Sequence, residues 1–275
     1  MFLWKRLQMV FTIIKFEIKN TLLFSYDYFY FTSFDLLELF LLYFNFFDFI
    51  LLFFCALLFR RVGNGSTSDV KVPSPLDVLL DDTIVQIATG SQHTIVLTDD
   101  GKVYTWGKND TGALGHGDSQ NDVYSLEEYP RLLEWPDTKD ESGADIIDKN
   151  KELDPIVYIA AGSGRSAAIS RSGKLFLWGR ALGHIPALLN STALDGLKVI
   201  KVALGGGAGK SVIAIITEDN SLWTFGDGGS KLLGIKDLPN WKHPSPLKVT
   251  AFQNKKVLDV YCGVGQHIFA KVVDE

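Results

Sequence analysis

VQIATGSQHTIVLTDDGKVYTWGKNDTGALGHG, residues 85–117, decides the fold. Its apolar residues come in short runs cut by turn formers, the pattern of strands joined by tight turns and not of helices. In Lys102–Gly107 the side chains alternate, with Val103 and Thr105 facing one way and Tyr104 and Trp106 the other. Gly90 stands between two apolar runs, where the chain needs a positive φ or a close backbone approach. Asp100-Gly101 reads as a hairpin turn.

The same pattern recurs downstream. IVQIATGSQHTIVLT (84–98), IVYIAAGSGRSAAIS (156–170), VIKVALGGGAGKSVIAIIT (199–217) and VLDVYCGVGQHIFAKV (257–272) each set a Gly turn between two apolar runs. The turn glycines are Gly90, Gly162, Gly205 and Gly263. Three of these units continue into an aromatic strand with a terminal glycine, KVYTWG, KLFLWG and SLWTFG, ending at Gly107, Gly179 and Gly226. Asp100-Gly101, Ser172-Gly173 and Asp219-Asn220 hold the equivalent hairpins. A single such unit cannot bury both of its faces, so the units must stack on one another. The reading is all-β, a partial propeller of three to four repeat units over 84–275, preceded by an apolar leader read as helical.

The run 85–117 resembles the regulator of chromosome condensation repeat. That family places a Gly-x-x-His turn, an Asp-Gly hairpin, an aromatic-Gly strand end and an Asn-x-x-Gly-x-Leu-Gly turn in order. Gly90, His93, Asp100, Gly101, Trp106, Gly107, Asn109, Gly112, Leu114 and Gly115 match it here. The second unit keeps Gly162, Gly173, Trp178, Gly179, Leu182 and Gly183, with Arg165 where His would stand. The third keeps Gly205, Phe225, Gly226, Leu233 and Gly234, and the fourth Gly263 and His267. The resemblance implies a propeller, which in this family usually closes with seven blades. This chain offers three whole units and a leading half-unit, so strand edges and half a core are left open. The expectation is a piece of a longer propeller; otherwise further blades come from a partner or from self-association.

Outside the repeat the composition changes. Of the 19 Phe, 15 lie in residues 2–59, whereas all 25 Gly and all 9 Pro come after residue 62. Residues 1–62 therefore read as a leader and 63–83 as a polar linker. Leu39–Phe59 carries 16 Leu, Phe or Ile in 21 residues, about 31 Å as a helix, long enough to cross a hydrocarbon core. Arg60 and Arg61 follow it directly, which would set the repeats on the cytoplasmic or matrix side of a membrane. A second reading of the same composition is translated non-coding sequence; the module would then be cytoplasmic or nuclear. The glycine terminating the first unit stands 72 residues before that of the second, against 47 for the next pair, and an acidic insertion at 118–155 accounts for the excess. Beyond residue 62 the chain has 21 basic and 27 acidic residues and no basic stripe, which argues against direct nucleic-acid binding.

Catalytic constellations are absent from the sequence. GGGAGKS (205–211) is short of a phosphate loop because Leu204 stands where its first Gly would be. His116, His184 and His243 lie without a second ligand at metal spacing, and Cys55 and Cys262 form neither a metal motif nor a disulfide framework. No cofactor is expected. The leading expectation is a non-catalytic protein-interaction propeller with a protein partner. The alternatives are nucleotide exchange on a small GTPase, which the resemblance implies, and an assembly factor on an organellar inner membrane.

Overall fold

The computed structural model describes residues 62–65, 75–117, 126–135, 154–194, 196–206, 211–227, 232–236, 238, 242–263 and 267–274. All of them belong to one unit, Phe49–Glu275. Residues 1–61 of the leader, with its proposed span 39–59, lie outside the described residues.

Three four-stranded antiparallel sheets follow in chain order. The first is β1 (Ile84–Thr89), β2 (His93–Thr98), β3 (Val103–Lys108) and β4 (Leu126–Leu132). The second is β5 (Ile156–Gly162), β6 (Arg165–Ser170), β7 (Leu175–Gly179) and β8 (Gly183–Leu188). The third is β9 (Val199–Gly205), β10 (Val212–Thr217), β11 (Leu222–Asp227) and β12 (Lys242–Lys248). A two-stranded sheet, β13 (Lys255–Cys262) with β14 (Ile268–Asp274), forms the fourth. Each sheet is a blade with its strands in simple meander order. The all-β partial propeller expected from the repeat is the fold observed.

Second strands carry the core. β2, β6 and β10 are buried along their whole length, because apolar residues on each face meet a neighbouring blade or, on one face of β2, Val62, Leu76 and Leu79. Ile95 and Leu97 of blade 1 pack with Ile156, Ile159, Ala168, Phe176 and Trp178 of blade 2. On the other face of blade 2, Ala167, Ile169 and Leu177 meet Val199, Val202 and Ile213 of blade 3. Burying one such side chain is worth roughly 1.5–3 kcal/mol, so each joint outweighs any of its single hydrogen bonds.

Sequence reading missed the fourth strands. LEEYPRL, GHIPAL and KHPSPLK are short, and each contains proline, which reads as loop. As edge strands they tolerate it. The ladder to the third strand breaks opposite Trp106, Trp178 and Phe225, and Pro130, Pro186 and Pro246 lie in those gaps, all buried. Three residues after each proline a backbone N–H returns to the third strand, Leu133 to Val103, Leu189 to Leu175 and Val249 to Leu222, all at 2.8 Å. β4 thus falls inside the acidic stretch 118–155, which supplies a blade strand as well as the excess length.

Nor is the segment after residue 62 only a linker. Val62 is buried with Leu76 and Leu79 against Val96, Tyr104 and Trp106. A Cβ on Gly63 would stand 2.8 Å from Trp106 Nε1, as one on Gly115 would stand 2.9 Å from Trp178 Nε1. Gly65 N–H donates to Glu128 O of β4, as Gly117 N–H donates to His184 O of β8. A 3₁₀ turn, Asp77–Leu79, begins after buried Leu76, matching Thr250–Phe252 after buried Val249. Residues 62–65 and 75–79 therefore hold the places of a blade's closing turn and tail. The turn was illegible because the boundary drawn between an apolar leader and a polar linker runs through it.

Candidate functional site

Blade-to-blade joints gather most of the residues the repeat singles out. Inner strands β1, β5, β9 and β13 run beside one another with Cα atoms within 8 Å. Gly90, Gly162 and Gly205 end three of these strands, and none needs a left-handed backbone. Close approach is what demands glycine: an added Cβ would meet Gly162 O at 2.5 Å, Leu204 Cβ at 2.6 Å and Cys262 Cβ at 2.7 Å, each on the next blade. Gly107, Gly179 and Gly226 have a different task. Their φ values of +104°, +104° and +117° turn the chain so that the next N–H reaches the carbonyl before the second strand. Gly101 and Gly173 take positive φ in the hairpins, with Asn220 in the third. Gly234 closes the turn after β11, beside Val249.

The joint between blades 1 and 2 holds a polar clasp. Ser166 of β6 donates its hydroxyl proton to Ala113 O at 2.8 Å, and Trp178 Nε1 donates to the same carbonyl at 2.9 Å. That leaves Ser166 Oγ to accept from His93 Nε2, 2.9 Å away. Burial pushes the His93 imidazole down to about 4, against a backbone hydrogen bond with Arg165 that acts the other way. The ring is neutral near pH 7. Gln86 adds a two-point contact with the backbone of Ile159.

Arg165, in the matching place of blade 2, is buried and donates Nε to Arg180 O at 2.9 Å. Val212 stands there in blade 3, opposite Gly226 as His93 is opposite Gly107. His267 is exposed, although Gly263 N–H reaches its carbonyl as Gly90 N–H reaches that of His93. The repeat position is thus a joint position whose occupant varies. Trp106 and Trp178 are both fully buried packing residues.

Chemistry beyond packing is sparse among the described residues. Burial pushes the Cys262 thiol up to about 12, away from reactivity. No group of three His, Cys, Asp or Glu there could hold a metal ion. Lys201 pairs with Asp259 at 2.7 Å across blades 3 and 4, and a cleft of about 210 Å³ between β4 and β8 is lined by His116, Arg131, Glu134, Trp135 and Ile185. No described helix is long and apolar enough to cross a membrane.

One exposed feature repeats in every blade, and sequence reasoning missed it. One residue of each inner strand falls in a ladder irregularity, the second of β1, β5 and β9 and the fourth of β13. Those residues, Val85, Val157, Ile200 and Leu258, are 51, 46, 45 and 43% exposed. Bulges re-aim side chains. Here they turn four equivalent aliphatic groups to solvent at the same end of adjacent strands.

The Regulator of chromosome condensation (RCC1) repeat matches residues 59–97, 100–169 and 219–270. The chain is 30% identical over 216 residues to the E3 ubiquitin-protein ligase HERC2 of Mus musculus, covering 74% of this chain and 4% of that protein. It is 28% identical to the RCC1 domain-containing protein RUG3, mitochondrial, of Arabidopsis thaliana, covering 76% and 44%. Prp20p of Saccharomyces cerevisiae, described with its binding to Gsp1p and histones, superposes with TM-score 0.60 at 22% identity, covering 78% and 50%. The chain spans half or less of each.

Proposed function

From the premise that this chain belongs to the regulator of chromosome condensation repeat family, we propose that it is a protein-interaction module without catalysis of its own. The observation that carries this reading is the ring of Val85, Val157, Ile200 and Leu258, exposed at one place in all four blades. Regularly repeated apolar exposure has no role in the core, and contiguous apolar patches are the usual centres of protein interfaces. The buried polar groups support it from the other side. His93, Ser166 and Trp178 spend their hydrogen bonds holding blades together, leaving no nucleophile–base pair among them. The binding of Prp20p to Gsp1p and histones favours a protein partner. Ligase activity belongs to HERC2 as a whole, of which this chain matches a small part.

The test is affinity capture of the full chain beside a variant with all four ring residues changed to serine. A partner retained by the native chain and lost by the variant is expected. Equal recovery by both, or no specific partner, defeats the reading.

Nucleotide exchange on a small GTPase is a second reading, supported by family membership. No residue of this chain is assigned to it. Fluorescent-nucleotide release across a panel of small GTPases tests it, and no acceleration at any of them retires it. Attachment to a membrane, including an organellar inner membrane, rests on the composition of 39–59 and on the mitochondrial relative RUG3. Imaging and fractionation of the tagged full-length chain test that separately.

A further inference from the structure

The joint between blades 2 and 3 departs from the joint between blades 1 and 2 at one pair of positions. His93 stands opposite Gly107 at the start of β2, and the next blade offers it the hydroxyl of Ser166. Arg165 stands opposite Gly179 at the start of β6. In blade 3 the place of Ser166 is held by Ile213, opposite Phe225 as Ser166 is opposite Trp178, and Ile213 is buried against blade 2. A hydrocarbon side chain accepts no hydrogen bond. The register that serves the His93 ring therefore leaves Arg165 without the matching acceptor.

The turn that follows the third strand is also shorter in blade 2. Gly115 follows Gly107 by eight positions and Gly234 follows Gly226 by eight, but Gly183 follows Gly179 by four. In blade 1 the additional residues lie on blade 2: the Thr111 hydroxyl donates to Gly164 O at 3.1 Å, and a Cβ on Gly112 would stand 2.6 Å from His184 Nδ1. Blade 2 turns instead through Ala181 at a φ of +63°, with Arg180 and Ala181 both exposed. Arg165 is nevertheless only 3% exposed. Its Nε donates to Arg180 O at 2.9 Å, and among the described residues its two Nη groups have no acceptor and no ion pair. Burial pushes the guanidinium below its ordinary value, the charge of Arg180 pushes the same way, and Asp227 of β11 pulls it back in part. A buried charge without a partner is costly, and a guanidinium does not escape that cost by giving up its proton.

We propose that Arg165, with Arg180 beside it, forms an oxyanion-binding site at the joint of blades 2 and 3, which takes a carboxylate or a phosphate group on the Nη edge of the buried guanidinium. The planar fork suits either group through two parallel hydrogen bonds. Arg180, exposed, supplies a second positive charge on the approach from solvent. The site lies at the other end of the strands from Val85, Val157, Ile200 and Leu258, because β5 starts beside Val157 and ends at Gly162, just before Arg165 opens β6. It therefore stands or falls independently of the aliphatic ring.

The full-length chain, extracted in one mild detergent, is melted in rising sodium phosphate and, separately, in rising sodium acetate, each against sodium chloride of the same ionic strength. At least one oxyanion should raise the melting temperature beyond chloride, in proportion to the logarithm of its concentration once the site is filled. A response to phosphate alone assigns the site to phosphate groups, a response to acetate alone assigns it to carboxylates, and a response to both gives a fork that takes either. Arg165→Met should abolish the response and melt, without oxyanion, at or above the temperature of the native chain, because an unpartnered buried charge has been replaced by an apolar side chain. Arg180→Met, at an exposed position, should weaken oxyanion binding about threefold and leave that baseline unchanged. A native chain that responds to neither oxyanion beyond chloride would overturn the proposal, as would a response that survives Arg165→Met. So would an Arg165→Met chain markedly less stable than the native one, since Arg165 would then be a strut for the short turn.

Discussion

His93 of blade 1 reaches Ser166 of blade 2 with its ring nitrogen 2.9 Å from the hydroxyl oxygen, while Ser166 passes its own proton to Ala113. One hydroxyl thereby ties a second strand, a neighbouring second strand and a turn. Burial keeps the imidazole in this arrangement neutral.

Stability should therefore fall as acid is added. Unfolded His93 takes a proton below pH 6.5, whereas the folded ring resists until about pH 4. Its contribution is complete above pH 6.5 and is lost as pH falls from 6.5 to about 4, on the order of 3 kcal/mol in all. Urea midpoints at pH 7, 5.5 and 4.5 should drop for the native chain. His93→Gln, which can still donate to Ser166, should show a shallower decline.

Two kinds of glycine should respond differently to alanine. At Gly107, Gly179 and Gly226 an added Cβ would sit 2.6, 2.5 and 2.2 Å from a backbone carbonyl, on a left-handed backbone. Each substitution should cost roughly 2–4 kcal/mol. Gly196 shares the positive φ but has nothing within 4 Å, so Gly196→Ala should cost only about 1 kcal/mol. Thermal melts of the four variants decide the matter.

Removing the Trp178 indole N–H should be mild, because Ala113 O keeps the Ser166 donor. Trp178→Phe should cost about 1–2 kcal/mol in chemical denaturation, and Trp178→Ala about 3–5 kcal/mol. Similar losses from the two would mean that the hydrogen bond, and not the ring, holds the joint.

Asp82 receives Lys102 Nζ at 2.6 Å and the Tyr104 hydroxyl at 2.7 Å, fastening the chain before β1 to β3. Burial alone would raise its carboxyl; those two donors, with the lysine charge, hold it below the usual range. Asp82→Ala should speed proteolysis within 62–83 while leaving cleavage within β5–β8 unchanged. Timed digestion with peptide mapping reads this out.

Strands one to three of blades 1 to 3 were legible because alternation, a turn glycine and an aromatic-Gly end coincide within a short run of sequence. Fourth strands were not. Proline, the mark of a loop, is tolerated at Pro130, Pro186 and Pro246 because each lies in a ladder gap on an edge strand. A motif search tuned to proline three residues before an aliphatic would have found all three. The His93 clasp was half legible: His93 was visible as a repeat position, but its partner Ser166 lies 73 residues away in a blade whose own matching residue is Arg165. The aliphatic ring left no trace, since a bulge shifts one residue against its neighbours and does not alter composition.

Trp106 and Trp178 occupy matching places but owe their shelter to different neighbours. Trp178 is roofed by a turn that blade 1 anchors at Leu114, whose N–H donates to Asn109 Oδ1 and whose carbonyl accepts from the Thr105 hydroxyl. Trp106 is roofed by Val62 and Gly63, with Gly65 N–H donating to Glu128 O of β4. The two indoles are thus built-in optical probes of two separate lids. A dissolved quencher that reaches Trp106 and spares Trp178 reports the lifting of a short peptide while the blades beneath it stay shut.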